Sequence, residues 1–190
     1  MSTYERMTPN EARHHLIKRL PGKIEVRGLI DLRETKIQQL SASVRCHDLD
    51  ATGSELVSLP DDLQVSSRLV LDDCQQLERL PQKLNCGSLS LRNCGYLAAL
   101  PEGLSTWFLD MTNCRRFSQW PKKATIQRGR LILRNCIELQ NLPSWLGLLA
   151  QLDVSGCVQL NEIPDGIRVS SWLDLGGANL TGLPDSLSGC

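Results

Sequence analysis

The feature that most constrains this chain is a frame that returns about every twenty residues. LILRNCIELQNLP, from Leu131, recurs as LVLDDCQQLERLP from Leu69, LSLRNCGYLAALP from Leu89, LDMTNCRRFSQWP from Leu109 and LDVSGCVQLNEIP from Leu152. Versions shorter by one residue begin at Ile30, Leu49 and Leu173. First positions at 30, 49, 69, 89, 109, 131, 152 and 173 give steps of 19 to 22 residues, a period that belongs to a solenoid. Each unit opens with the alternation of a strand that has one buried face. Its later apolar residues, spaced by three, suit a chain that turns a corner and keeps one side inward.

A unit this short cannot bury its own apolar side, whereas stacked units bury a continuous column. The LxL segments are expected to pair as parallel strands, roughly 4.8 Å apart. Little room for a helix remains between each proline and the next strand. Proline also fixes φ and withholds a donor, which favours an extended return leg.

The frame resembles the leucine-rich repeat family, whose pattern is LxLxxN or LxLxxC followed by two further leucines. The resemblance runs from about Ile30 to the C-terminus. It implies an α/β solenoid: a right-handed, curved array with a parallel β-sheet on the concave side and extended convex legs. The prevalence of Cys is similar to plant immune-receptor repeats, and the compact LP units are similar to bacterial ones.

Residues 1–29 lie outside the frame and are expected to form an N-terminal helical cap, with the solenoid of about eight repeats over 30–190. Thr8-Pro9-Asn10-Glu11 is a capping box with proline at the first helical position. Ala12, Leu16, Ile17 and Leu20 are expected on one helical face, and Pro21-Gly22 stops the run. Ile24-Glu25-Val26 adds an irregular strand. The last unit, Leu173 to Leu187, precedes no capping element, so truncation or self-association through the C-terminal end is expected.

Basic and acidic residues number 21 each, so no overall field draws in nucleic acid or anionic membrane. No apolar run reaches the length of a membrane span, and no secretory signal is visible. The expected compartment is cytoplasmic. Of eight cysteines, Cys74, Cys94, Cys114, Cys136 and Cys157 share one frame position, the turn after LxL. They are expected as a buried, unbridged structural ladder, because parallel neighbours send their Cβ atoms in the same direction. Cys46, Cys86 and Cys190 fall outside it and are the expected exposed thiols.

Catalysis finds no foothold. The phosphate-cradling, dinucleotide and nucleophile-elbow motifs are absent, and His14, His15 and His47 are the only histidines. His14-His15 lacks ligands at metal spacing, and no cofactor is implied. Some bacterial effectors join similar repeats to a ubiquitin-ligase domain with a Cys-x-Asp nucleophile. Cys46-His47-Asp48 has that spacing without any such domain around it.

What remains is the strand face that alternates with the core leucines. Asp and Arg are depleted in strands by propensity, so a face rich in both is expected to serve contact. Arg92, Phe108, Asp110, Arg130, Ile132, Arg134, Asp153 and Trp172 are the candidate partner-binding residues. Arginine and aromatic side chains at the centre of a face are the usual material of interface hot spots. The expected function is recognition of another protein through this face, with no enzymatic activity. The alternative is the substrate-recognition portion of a larger effector or ubiquitin-ligase-type enzyme.

Overall fold

Each recurring LxL motif becomes a rung. In the computed structural model, which describes residues 3–187, Leu49, Leu69, Leu89, Leu109, Leu131, Leu152 and Leu173 pair in register across successive strands. The strands are β1 (Glu5–Arg6), β2 (Gly22–Asp31), β3 (Ala42–Asp50), β4 (Gln64–Val70), β5 (Ser88–Ser90), β6 (Ser105–Asp110), β7 (Thr125–Ile132), β8 (Leu148–Asp153) and β9 (Arg168–Asp174). They form one parallel sheet in chain order, β1 to β9. The protein is a parallel-sheet β-solenoid of about eight turns with little helix. The return legs are turns and extended chain, joined by isolated bridges such as Ser58 to Arg79 and Ala99 to Gln119.

The core is a set of columns, one residue per turn. Both apolar positions of each LxL and the following frame position are almost wholly buried from Ile30 to Leu160; most are leucine, with Ala51, Met111 and Val154 in three LxL pairs and Ile37 and Phe117 at the later position. A further inward column precedes the first leucine: Val26, Cys46, Val65, Cys86, Thr106, Ile126, Leu149 and Val169. Cys46 and Cys86, expected as exposed thiols, are therefore buried. Both fill rungs of this second column, which the frame starting at the first leucine leaves out. Cys190 lies outside the described residues.

The second column also explains the uneven repeat length. Leu109 follows Thr106 by three positions, whereas Leu131 follows Ile126 by five. The surplus is absorbed as β-bulges, and the pairing shifts register between Val26 and Leu29, Cys46 and Asp48, Thr106 and Phe108, and Leu149 and Gln151. Inward columns stay aligned while the outward face takes up the difference.

A second constraint sits at the turn before the cysteine column. Glu34, Asp73, Asn93, Asn113 and Asn135 have φ between 56° and 62°, and Gly53, Gly156 and Gly177 occupy the same place at 67° to 74°. Every turn here enters the left-handed region, which Gly, Asn and Asp tolerate best. The amides then stack: Asn93 Nδ2 donates to Asp73 Oδ1 (2.7 Å), Asn113 to Asn93 (2.8 Å) and Asn135 to Asn113 (2.9 Å).

Helix α1 (Pro9–Ile17) starts where the capping box sets it: Thr8 Oγ1 accepts from Glu11 N, and the Glu11 carboxylate accepts from Thr8 N. The helix packs on β2, and Arg13 donates to the carbonyl of Asp31. Only Ala12 and Leu16 of the expected apolar face are buried; Ile17 and Leu20 are exposed. The helix ends at Ile17 and Arg19 takes φ 55°, so Leu20 leaves the helical face before it can pack. At the other end Leu183 is 58% exposed, while Leu187 of the short 3-10 turn Asp185–Leu187 is buried.

Candidate functional site

Outward-facing residues fall into rows set by strand register. Leu29, Asp48, Arg68, Ser88, Phe108, Arg130, Gln151 and Trp172 form one row; Asp31, Asp50, Val70, Ser90, Asp110, Ile132, Asp153 and Asp174 form the next. The acids of the second row are occupied. Asp50 Oδ1 accepts from Thr52 N (3.0 Å) and Oγ1 (2.7 Å), and Asp110 Oδ1 accepts from Thr112 N (2.9 Å) and Oγ1 (2.6 Å). Asp174 Oδ1 accepts from Gly176 N (2.9 Å). Where Ser90 replaces the acid, Asp72 of the preceding turn accepts from Ser90 Oγ and Arg92 N instead. These carboxylates close turns at the strand ends, as short Asp side chains do. The recurring Asp-x-Thr/Ser triplets (DAT, DMT, DVS) carry that signal in the sequence, and a contact reading of the Asp residues missed it.

Asp153 departs furthest from its expected place on a binding surface. It is 0% exposed, accepts from Ser155 N (2.9 Å) and Oγ (2.6 Å), and is covered by Arg134, whose Nη2 lies 2.7 Å from Oδ2. Neither oxygen is open to a partner, and the Arg134 guanidinium is engaged in shielding it. Removing Arg134 leaves a buried carboxylate without its cation. Arg134→Ala is therefore expected to cost on the order of 2–3 kcal/mol, below the range for a fully buried pair because Arg134 is half exposed. The double variant Arg134→Met with Asp153→Leu should recover most of that loss. Equilibrium urea unfolding checks both, and an Arg134→Ala protein as stable as the parent would show that water compensates the acid.

Most outward arginines leave their guanidiniums without an ion pair among the described residues, although Arg68 and Arg92 donate their backbone N–H to Asp48 and Asp72. Ion pairs among the described residues involve Arg6 with Glu25, Arg13 and Arg33 with Asp31, and Arg134 with Asp153. The hydrogen bond from Arg33 holds the Asp31 carboxyl down at about 2. Arg68, Arg92, Arg128 and Arg130 are exposed and have no carboxylate partner among the described residues. Phe108 lies between Arg68 and Arg130 in its row and is half-buried, with Val70 and Ile132 half-buried in the row beside it. Trp172 is 41% exposed but sits three strands from Phe108, so it does not join this cluster.

β7 carries a bulge against β6 at the centre of the face. Arg128 takes φ 44°, and Gly129 passes so close to β6 that a Cβ there would meet Trp107 O at 1.7 Å. Trp107, beside it in β6, is 58% exposed. Arg128 was not among the sequence candidates; the 22-residue step from Leu109 to Leu131 is the mark of the bulge that carries it.

The cysteine ladder points the other way. Cys74, Cys94, Cys114, Cys136 and Cys157 are 0% exposed and unbridged. Each Sγ donates to a carbonyl of the preceding turn: Ala51 (3.2 Å), Leu71 (3.1 Å), Leu91 (2.9 Å), Met111 (3.2 Å) and Leu133 (3.0 Å) respectively. Cysteine is thus a small apolar filler that also satisfies a buried acceptor, as Thr35 does for Leu32 O.

The Cys46-His47-Asp48 triplet is not assembled for nucleophilic work. Burial, with Asp48 nearby, pushes the Cys46 thiol up to about 12, the opposite of an activated cysteine. His47 turns outward and its Nδ1 lies 3.1 Å from Ser66 Oγ, both exposed, and no described carboxylate hydrogen-bonds the ring. Among the described residues no group of three His, Cys, Asp or Glu side chains is placed to hold a metal ion, and no helix is long and apolar enough to cross a membrane. No family model, no curated protein and no solved structure matches the chain.

Proposed function

We propose that this protein is a recognition module of the leucine-rich repeat kind, without catalytic activity, that binds another protein through the concave, outward face of its sheet over β4 to β7. One observation carries the reading. The acids of that face are spent on turns, while Arg68, Arg92 and Arg130 present unpaired guanidiniums beside Phe108. The parallel ladder fixes the backbone positions of these residues before any partner arrives, which lowers the ordering cost of association. The LxLxxN/C frame supports the family reading. In that reading α1 and β1 are the N-terminal cap, their role supported by Arg13 satisfying the Asp31 carbonyl at the edge of the first rung. Free, buried cysteines fit a reducing, cytoplasmic setting.

The test compares immobilised parent with Phe108→Ala, Arg92→Ala and Arg130→Ala in affinity capture of the native partner. None of the three side chains fills an inward column, so circular dichroism should match the parent. Affinity is expected to fall about tenfold or more at a true hot spot. Capture at parental affinity by all three variants would sink the reading.

A further inference from the structure

We infer that the occupant of this face is an extended acidic segment of the partner with the pattern acidic-x-apolar-x-acidic, lying across strands β4 to β7. The inference rests on the recognition reading above and names the chemistry of its ligand. Arg68 and Arg130 stand in one register row, three strands apart, with Phe108 between them. At about 4.8 Å per strand the two arginine positions are separated by about 14 Å. An extended chain covers about 13 Å in four residues, with residues i, i+2 and i+4 on the same side. Two carboxylates four residues apart then reach the two guanidiniums, and the apolar residue between them meets Phe108, which stands one strand from Arg130 and two from Arg68, with Val70 and Ile132 in the next row.

Arginine suits this role because its planar fork grips a carboxylate bidentately. The acids interspersed on the face select against a continuous polyanion. Asp110 lies in the row beside Phe108 and Asp72 in the turn after β4, so a continuous phosphate backbone would meet repulsion at those two points, whereas spaced carboxylates pass between. The arrangement also differs from Arg134, whose guanidinium is committed to Asp153.

The probe is a fluorescein-labelled synthetic peptide containing Glu-Ala-Leu-Ala-Glu, titrated with the full chain and followed by fluorescence anisotropy. Binding is expected, weakening at least tenfold with both Glu changed to Gln and at least tenfold in Arg68→Ala or Arg130→Ala. It should also weaken as salt is raised. A peptide with its two Glu only two residues apart should bind at least fivefold more weakly. Parental binding of the Gln peptide, no binding of the Glu peptide, or tighter binding of a single-stranded oligonucleotide would each overturn the inference. If the native partner is lost in Phe108→Ala while the Glu peptide never binds, the acidic assignment fails and the recognition face stands. If the partner is retained as well, both fail.

Discussion

Raising the pH above about 9 is expected to unfold the protein, because its buried thiols must stay protonated to remain inside. Burial pushes Cys46 up to about 12 and Cys86 and Cys157 up to about 11. Burial likewise raises Cys74 and Cys136, and the Cys114 thiol together with burial raises Cys94. In the unfolded chain these thiols ionise near about 8.5. Between that value and the folded values the native state holds more protons than the unfolded state, so stability falls as pH rises. Each strongly raised thiol contributes about 1.4 kcal/mol per pH unit in that window, and the five strongly raised ones, Cys46, Cys86, Cys94, Cys136 and Cys157, contribute on the order of 7 per unit. A domain stable by roughly 5–15 kcal/mol is exhausted within about two units. Urea unfolding at a series of pH values checks the slope, and Cys46→Ala with Cys86→Ala should move the alkaline midpoint upward. Iodoacetamide should leave the described cysteines unlabelled at neutral pH until urea unfolds the chain. A stability that stays flat from pH 8 to pH 11, or rapid native labelling, would show that the thiols are not held in the core.

Phe117→Ala should be the most damaging single truncation in the core, costing about 3–5 kcal/mol. Phe117 is the largest fully buried side chain and replaces the frame leucine of its turn. Its ring meets Trp120 edge-on at 4.9 Å, and Trp120 meets Trp145 edge-on at 5.8 Å. Both indoles are pinned by their N–H groups, Trp120 to Asn141 O (2.9 Å) and Trp145 to Pro121 O (3.0 Å). These two bonds oppose the indole movement that would fill the cavity left by alanine. Phe117→Leu restores the side chain used by neighbouring turns and should cost about 1.5 kcal/mol or less. In a solenoid each turn touches only its neighbours, so hydrogen exchange should rise first between 97 and 146. Loss of less than about 1 kcal/mol in the alanine variant would mean that the aromatic stack is not a unit.

The architecture was legible because its cause is local and repeated. An apolar residue at a spacing of two and then of about three, mostly leucine and repeated eight times over, admits one stacking solution, and strand order follows from chain order. The capping box before α1 was legible for the same reason: Thr8 and Glu11 act on each other three residues apart. The second inward column was not, since Val26, Cys46, Val65 and Cys86 share an inward column but stand three or four residues before the first frame residue of their turns.

The face is where tertiary structure had the deciding role. Alternation alone determined that Arg92, Phe108, Asp110, Arg130, Ile132, Arg134 and Asp153 belong to outward rows. It was silent on which of them remain free. Asp110 is taken by Thr112 two residues away, a bond the triplet spelled out; Asp153 is taken by Arg134 from the turn before, a contact between residues nineteen apart. Arg130 and Arg134 are alike in the sequence and opposite in state: one guanidinium is unpaired, the other is committed to a buried acid. The backbone period sets the direction in which a side chain points, whereas its availability depends on neighbours that only the stacked turns bring within reach.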